Sequence, residues 1–156
     1  MSGLSIAGKR GFTLMELMTV IVVVAILAAI AYPTYQSHVR ESRLAEAHAA
    51  LLDNTRHMER FYAQNRSFKL NSTTWPPLPH TETSHFCIKF QGNARGVLGD
   101  QYTIKAVAFD SSSEPRVLLI DQNQQVRICG RSSSRCDERA TFAGNSGVDR
   151  ECQVYR

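Results

Sequence analysis

The chain has 156 residues, of which 43% are hydrophobic and 21% charged, and its formal net charge at pH 7 is +4. This length fits one domain, or one small domain with an appendage, and the composition argues against a wholly disordered chain. The sequence contains no Gly-rich phosphate loop and no internal repeat of roughly 20–50 residues, which argues against a multi-domain enzyme and a solenoid.

The first predicted element is an apolar helix. No Asp, Glu, Lys or Arg occurs from Leu17 to Val39, and a short leader that ends in Lys9 and Arg10 precedes this segment. About 20 apolar residues are enough to cross a hydrocarbon layer of roughly 30 Å. Positive charge ahead of such a segment keeps that end in the cytoplasm, so the residues that follow are predicted to be translocated.

The residues alone leave several interpretations of this segment open. It could be a secretory signal peptide cut after Ala29–Ala31, or an uncut single-span anchor. Glu16 argues against both, because a carboxylate inside an apolar helix costs up to about 2.5–3.5 kcal/mol and needs a partner. Cleavage between Gly11 and Phe12 would create such a partner, since the new α-amino group of one helix could pair with Glu16 of a parallel neighbour.

The residues Lys9–Glu16, which read KRGFTLME, and the apolar run after them resemble the class III leader of type IV pilins. The resemblance implies cleavage after Gly11 by prepilin peptidase, N-methylation of Phe12, and a role for Glu16 in subunit docking. It also implies a single-pass protein of the inner membrane that assembles with other type IV pilins into a pilus at the cell surface. The expected domains are a leader (1–11), a transmembrane and filament-core helix (12–39) and a globular head (40–156).

In the head, the helix is expected to continue to residue 64, with a kink rather than a stop at Pro33. One face of it carries residues at spacings of three and four, namely Leu44, Ala47, Leu51, Thr55, Met58 and Tyr62. A loop follows at 65–84, and alternating residues within 85–129 predict four strands, at His85–Gln91, Gln101–Asp110, Arg116–Ile120 and Gln125–Cys129. The predicted fold is α+β, a long N-terminal helix packed on a four-stranded antiparallel sheet, which matches the type IV pilin fold.

Four cysteines, at positions 87, 129, 136 and 152, predict two disulfides in a translocated domain, with three possible pairings. Alternation places Cys87 and Cys129 on the sheet face away from the helix, so the region 130–156 is expected to be stapled across that outer face. No metal-ligand spacing is present, and no metal or cofactor is expected. The pilin resemblance implies Cys129–Cys152, which leaves Cys87–Cys136.

The charge pattern is the other candidate functional feature, since no catalytic motif supports an enzyme. From Lys89 to Arg135 there are seven basic residues and four acidic ones. Lys89, Lys105 and Arg127 are expected to share the outer sheet face, and clustered cations of this kind bind phosphates. Dispersed cations that only solvate a surface remain the alternative on composition alone.

Residues 57–109 add a more particular resemblance, carried by the runs Glu59–Lys69, Trp75–Pro79, Phe86–Lys89, Ala94–Gly96 and Lys105–Ala108. These runs resemble the competence minor pilins that serve as receptors for DNA uptake sequences. The resemblance implies a filament subunit that binds double-stranded DNA and prefers a short uptake motif.

The receptor resemblance also assigns roles to single residues. Lys89 and Lys105 are expected to hold phosphates. A third basic position of the family falls at Leu119, so Arg116 or Arg127 is expected to substitute. The expected base readers are Arg95, Arg131 and Arg135, since Arg can contact guanine through two hydrogen bonds.

Two other functions remain open. The chain could be a structural, adhesive or major pilin without specific DNA binding, because such a subunit shares every feature up to residue 64. It could also be a secreted enzyme released by signal peptidase, in which case the mature chain would begin at Tyr32.

Overall fold

The computed structural model describes residues 12–144 and 147–155. The leader 1–11, with the predicted cleavage residue Gly11, lies outside the described residues. Within them, one helix is followed by five strands: α1 (Leu14–Asn65), β1 (Phe86–Phe90), β2 (Thr103–Ala108), β3 (Val117–Asp121), β4 (Val126–Ser132) and β5 (Asp149–Val154). The chain divides into two units, residues 1–39 and 40–156.

Helix α1 has identifiable start and stop signals. Its first turn is capped by Thr13, whose Oγ1 accepts a hydrogen bond from the Glu16 backbone N–H at 3.2 Å, and an acidic residue in this turn complements the helix dipole. Pro33 lies inside the helix without ending it, as predicted. The helix ends where Arg66 adopts a left-handed φ of 56° and donates its N–H to the Tyr62 carbonyl at 2.7 Å.

The unit formed by residues 12–39 consists almost entirely of helix with exposed apolar side chains. Within α1, an 18-residue window near the N-terminus has a mean hydropathy of 2.7, and none of it is buried. The segment is therefore long and apolar enough to cross a membrane.

The sheet lies in the second unit, and its five antiparallel strands follow chain order from β1 to β5. The four predicted strands are present within a few residues of the expected bounds, so the α+β fold is confirmed. Strand β5 is missing from the prediction, which treats residues after 129 as irregular. It pairs with β4 and places Cys152 directly opposite Cys129.

One core forms between the helix and the sheet. The predicted helix face is buried at Leu44, Leu51 and Met58, and it packs against β1 and β2 side chains such as Phe86 and Ile104. Buried Asn54 joins the loop after the helix to this layer, because its side-chain amide donates to the His80 carbonyl and accepts from the His80 N–H. The helix thus covers the face of the sheet opposite to the one that carries Cys87 and Cys129, so the predicted assignment of the two sheet faces is correct.

A second, smaller core lies on the outer face of the sheet. It contains Cys87, Val107, Val117, Leu119, Cys129 and Phe142. The outer face is thus covered by the C-terminal region, which we define as residues 130–155. Two disulfides hold this region, Cys87–Cys136 to β1 and Cys129–Cys152 between β4 and β5, and this is the pairing that the pilin resemblance implies.

Candidate nucleic-acid interface

Lys89 and Lys105 lie directly opposite each other on β1 and β2, and both side chains point to the outer face as predicted. Like charges at directly opposite positions of a sheet destabilise it unless other groups compensate them. The C-terminal region supplies the compensating groups, and it does so differently for the two lysines.

Lys105 is fully buried beneath the C-terminal region. Its ammonium donates to the Ser132 hydroxyl at 3.1 Å, to the Ser134 hydroxyl at 2.7 Å and to the Asp149 carboxylate. Burial lowers the pKa of Lys105 below its ordinary value, and the Asp149 carboxylate acts in the opposite direction. Because its ammonium is buried and engaged, Lys105 is not placed where the expected phosphate contact requires it.

Lys89 is half-buried and also engages the C-terminal region. Its ammonium donates to the carbonyls of Cys136, Glu138 and Arg139 at 2.7, 2.9 and 3.3 Å. An ammonium has three N–H donors, so these contacts use all of them. These hydrogen bonds give Lys89 a structural role that was not predicted, because they hold the loop that follows Cys136.

Phe142 completes this attachment. Its ring is almost fully buried, with the Lys89 and Lys105 ammonium groups 5.4 and 5.6 Å from its centre. Its backbone bonds to the edge of the sheet, donating to the Phe90 carbonyl at 2.9 Å and accepting from the Gly92 N–H at 2.7 Å. The two lysines and Phe142 therefore fix the position of the C-terminal region on the sheet.

Arg116 and Arg127 are the two expected substitutes for the basic position at Leu119, and the structure places them in different surroundings. Arg116 forms ion pairs at 2.7 Å with Glu114 and with Glu41 of the helix. The Glu114 hydrogen bonds, reinforced by Glu41, raise the pKa of Arg116 above its ordinary value. The guanidinium of Arg116 is therefore occupied by carboxylates, one of which lies on the helix.

Arg127 lies on the outer face, where it pairs with Leu119 in the register of β3 and β4. It is half-buried, and no carboxylate approaches its guanidinium within 4 Å among the described residues. Of the two expected substitutes, Arg127 is the one whose position matches.

Five exposed cations lie in the loops and the C-terminal region: Arg95, Arg131, Arg135, Arg139 and Arg150. Arg131 and Arg135 form exposed ion pairs with Glu151 at 3.7 Å and Asp137 at 3.4 Å. Exposed pairs of this kind are weak, about 0–1 kcal/mol, and a phosphate can displace them. Arg95 and Arg139 have no carboxylate partner within the described part of the chain.

An open cleft of about 1200 Å³ brings two of these arginines together with Lys89. Lys89, Arg95 and Arg139 line it, with apolar walls formed by Trp75–Leu78 and Phe142. Arg135 lies apart from it, at a smaller pocket of about 270 Å³ beside Phe109. Arg139 is absent from the expected DNA-binding residues, although its place shortly after Cys136 in the stapled region could have indicated it.

The cleft has a preformed rim. The loop between β1 and β2 carries Arg95 between two glycines with left-handed φ angles, Gly92 at 75° and Gly96 at 80°. Trp75 stacks on Phe90 with ring centres 4.7 Å apart, and its Nε1–H donates to the Gly92 carbonyl at 3.0 Å. Trp75 thus serves as a wall of the cleft that also fixes the start of the loop.

Within residues 12–144 and 147–155, no group of three His, Cys, Asp or Glu side chains is arranged to hold a metal ion. The cleft presents cationic side chains above an apolar floor, and Asp137 and Glu138 also line it, although neither forms an ion pair with Arg95 or Arg139. Such a surface suits a polyanion, since guanidinium groups bind phosphate oxygens and can also contact base edges.

Two family models match the chain. One, described as type IV minor pilin ComP, DNA uptake sequence receptor, matches residues 33–131, which is more than half of the chain. The other describes the prokaryotic N-terminal methylation motif and matches residues 6–32. No curated protein sequence matches the chain.

Solved structures also resemble the chain. The solution NMR structure of the minor DNA-uptake pilin ComP from Neisseria subflava is 46% identical, with a TM-score of 0.60, and the match covers 72% of this chain and 95% of that one. The global fold of the type IV pilin ComP from Neisseria meningitidis is 37% identical, with a TM-score of 0.53, and the match covers 77% of this chain and 99% of that one.

Proposed function

The chain belongs to the ComP family of type IV minor pilins, and from this premise we propose that it binds double-stranded DNA outside the cell and prefers a short uptake sequence. Its role is recognition of DNA for natural transformation, without catalysis. The DNA-binding surface consists of the cleft and the exposed arginines around it.

The observation that carries this proposal is the meeting of Arg95 and Arg139 at one cleft, although they lie 44 positions apart in the sequence. Neither guanidinium is neutralised by a carboxylate among the described residues, so both are available to a polyanion. Binding of phosphates by such cations releases condensed counterions from DNA, which supplies affinity without sequence preference.

Sequence preference requires contacts with base edges, and the β1–β2 loop is suited to make them. Arg95 stands on a short loop with a fixed conformation, and a guanidinium can form two hydrogen bonds with guanine in the major groove. Arg139 lines the same cleft, and Arg131 and Arg135 lie elsewhere on the C-terminal region as further phosphate or base contacts. Arg127 adds charge on the same outer face.

Selection from a randomised pool of duplexes tests the proposal without assuming any motif. The purified chain is mixed with the pool, and the enriched duplex is compared with a scrambled duplex of the same composition by gel shift at several salt concentrations. Failure to enrich any sequence, together with absence of binding at low salt, would leave only a structural or adhesive pilin.

Replacing Arg95 or Arg139 by Ala is expected to weaken binding of the enriched duplex. A residue that reads a base should lower discrimination between the two duplexes by about 1–3 kcal/mol. A residue that contacts a phosphate should instead weaken binding to both duplexes and reduce the salt slope by about 0.9. Arg60→Ala is the matched control, because Arg60 is exposed on the helix and does not line the cleft. If the Arg95 and Arg139 variants behave like this control, the cleft is not the interface.

We also propose the assembly route that the N-terminal region supports. Residues 12–39 first anchor the chain in the inner membrane as a single span and then join other pilins in the filament core. Prepilin peptidase cuts after Gly11, Phe12 is methylated, and Glu16 pairs with the N-terminal amine of a neighbouring subunit. The match to the methylation motif and the exposed apolar helix support this route.

Chain processing gives a direct test of this route. Mass spectrometry of the chain isolated from cells is expected to show a mature N-terminus at Phe12 that carries one added methyl group. An N-terminus at Tyr32 would mean removal by signal peptidase and would refute the route. An uncut chain would contradict it as well, because the paired ammonium group would then not exist.

A further inference from the structure

Lys69 lies outside the cations of the outer face, and it contacts the loop that carries Arg95. Its half-buried ammonium donates to the carbonyls of Val97 at 2.7 Å and Ala94 at 3.2 Å. These two carbonyls bracket Arg95 and Gly96 in the chain. One cationic side chain thus holds both sides of the turn that carries Arg95.

The neighbours of Lys69 hold the same loop at a further point. The Phe68 N–H donates to the Gly99 carbonyl at 2.7 Å, and Phe68 itself is buried. Gly99 fits closely, since a Cβ at this position would lie 3.0 Å from the Ser67 hydroxyl oxygen. The segment Ser67–Lys69 therefore clamps the loop between β1 and β2 along residues 94–99.

The Lys69 ammonium is paired with carbonyl oxygens and with no carboxylate within 4 Å among the described residues. The tip of the loop is exposed at Arg95, Gly96 and Leu98, while the Val97 side chain packs against the main core. Ala94, in contrast, is fully buried in the main core and anchors the start of the turn. Lys69 adds a hydrogen bond to the backbone on the far side of the turn, at the Val97 carbonyl.

We propose that Lys69 is a positioning residue for DNA sequence recognition, which acts by holding the turn that presents Arg95. The proposal rests on the DNA-binding function proposed above. A side chain that reads a base must be held within a fraction of an ångström of its productive geometry, whereas a phosphate contact tolerates more freedom. Loss of the Lys69 ammonium therefore reduces discrimination between sequences more than it reduces overall affinity.

The test compares Lys69→Met and Lys69→Arg with the unmodified full-length chain in detergent micelles, using the enriched and scrambled duplexes. Met keeps an unbranched apolar stem without donors, and Arg keeps the charge and the donors. We expect Lys69→Met to lower the ratio of affinities for the two duplexes by at least about fivefold, the smaller end of what a guanine contact provides. We expect Lys69→Arg to retain the ratio, and the salt slope to stay unchanged in both variants.

Several outcomes overturn the proposal. An unchanged ratio in Lys69→Met means that Lys69 does not position a reader, and a fall in affinity for both duplexes with a salt slope lower by about 0.9 means that Lys69 contacts a phosphate itself. Binding by the unmodified chain is measured first, so failure of the DNA-binding function is seen separately.

A second measurement guards against loss of folding in the Lys69→Met chain. Lys69→Met is combined with Arg95→Ala in one chain. This combined variant and the Lys69→Arg variant are each compared with Arg95→Ala alone. If Lys69 acts through Arg95, the ratio of affinities does not fall further in the combined variant. A further fall shows that Lys69 acts elsewhere and overturns the proposal.

Discussion

Replacing Asp149 by Asn is expected to lower the free energy of unfolding of the head by about 3 kcal/mol, the smaller end of the range for breaking a buried ion pair. Lys105 is fully buried and Asp149 is only 9% exposed at its side chain. Without the carboxylate, the Lys105 ammonium keeps two serine hydroxyls as partners but no opposite charge. The fold then holds an uncompensated charge in a medium of low polarity.

Removing the cation from the same pair should be milder. Lys105→Met keeps the apolar stem beside Phe142, and it leaves Asp149 with the Gln91 amide as a donor at 3.0 Å. This substitution also breaks the pair, which is destabilising, but the remaining Asp149 carboxylate keeps a hydrogen-bond donor and is less completely buried than the Lys105 ammonium. We therefore expect Lys105→Met to be less destabilising than Asp149→Asn, and the combined variant to be less destabilised than the sum of the two.

Denaturant unfolding of residues 40–156 measures these differences, because both cores and both disulfides lie within this unit. Asp137→Asn is the matched control, since Asp137 is an exposed carboxylate of the same C-terminal region whose one ion pair among the described residues is with exposed Arg135. This control should change stability by less than about 0.5 kcal/mol. Equal effects of the Asp149 and Asp137 substitutions would show that Lys105 does not depend on Asp149.

The lysines also show how far the sequence could predict the site. Alternation along β1 and β2 correctly places Lys89 and Lys105 on the outer face, because side-chain direction in a strand follows from position alone. It could not predict what covers that face. The covering segment is irregular and polar, so its path depends on a disulfide, on carbonyl oxygens and on Phe142, none of which has a sequence period.

Strand β5 could not be predicted from the sequence for a related reason. Its residues Asp149–Val154 are mostly polar and exposed and show no alternation of apolar side chains. Glu151 within it has a left-handed φ of 58°, which is rare for a strand residue. The strand forms because β4 provides an open edge and Cys152 is fixed to Cys129. Of the candidate DNA contacts, the exposure of Arg95 and Arg135 was predictable from loop positions, whereas the place of Arg131 in β4 and the ion pairs of Arg116 required the folded structure.

Replacing Cys87 and Cys136 together by Ala is expected to lower the free energy of unfolding by about 4 kcal/mol, because the bridge closes a loop between residues 49 positions apart. The loss should be local as well as global. Cys136 begins the loop whose carbonyls hold Lys89, and this bridge ties that loop directly to β1. Without it, the part of the C-terminal region around Phe142 should open at a lower free energy than the rest of the sheet.

Amide hydrogen exchange distinguishes local opening around Phe142 from a uniform loss of stability. In the variant without Cys87 and Cys136, exchange of the Phe142 N–H, which bonds to the Phe90 carbonyl, should speed up more than exchange of the Tyr155 N–H, which bonds to the Val126 carbonyl. The variant without Cys129 and Cys152 is the matched control, because its bridge joins two neighbouring strands, and the order should reverse. Since Arg139 lies between Cys136 and Phe142, the first variant should also bind the enriched duplex more weakly than the second. Equal exchange at both amides in both variants would mean that the C-terminal region opens as one unit and that neither bridge separately holds the DNA-binding face.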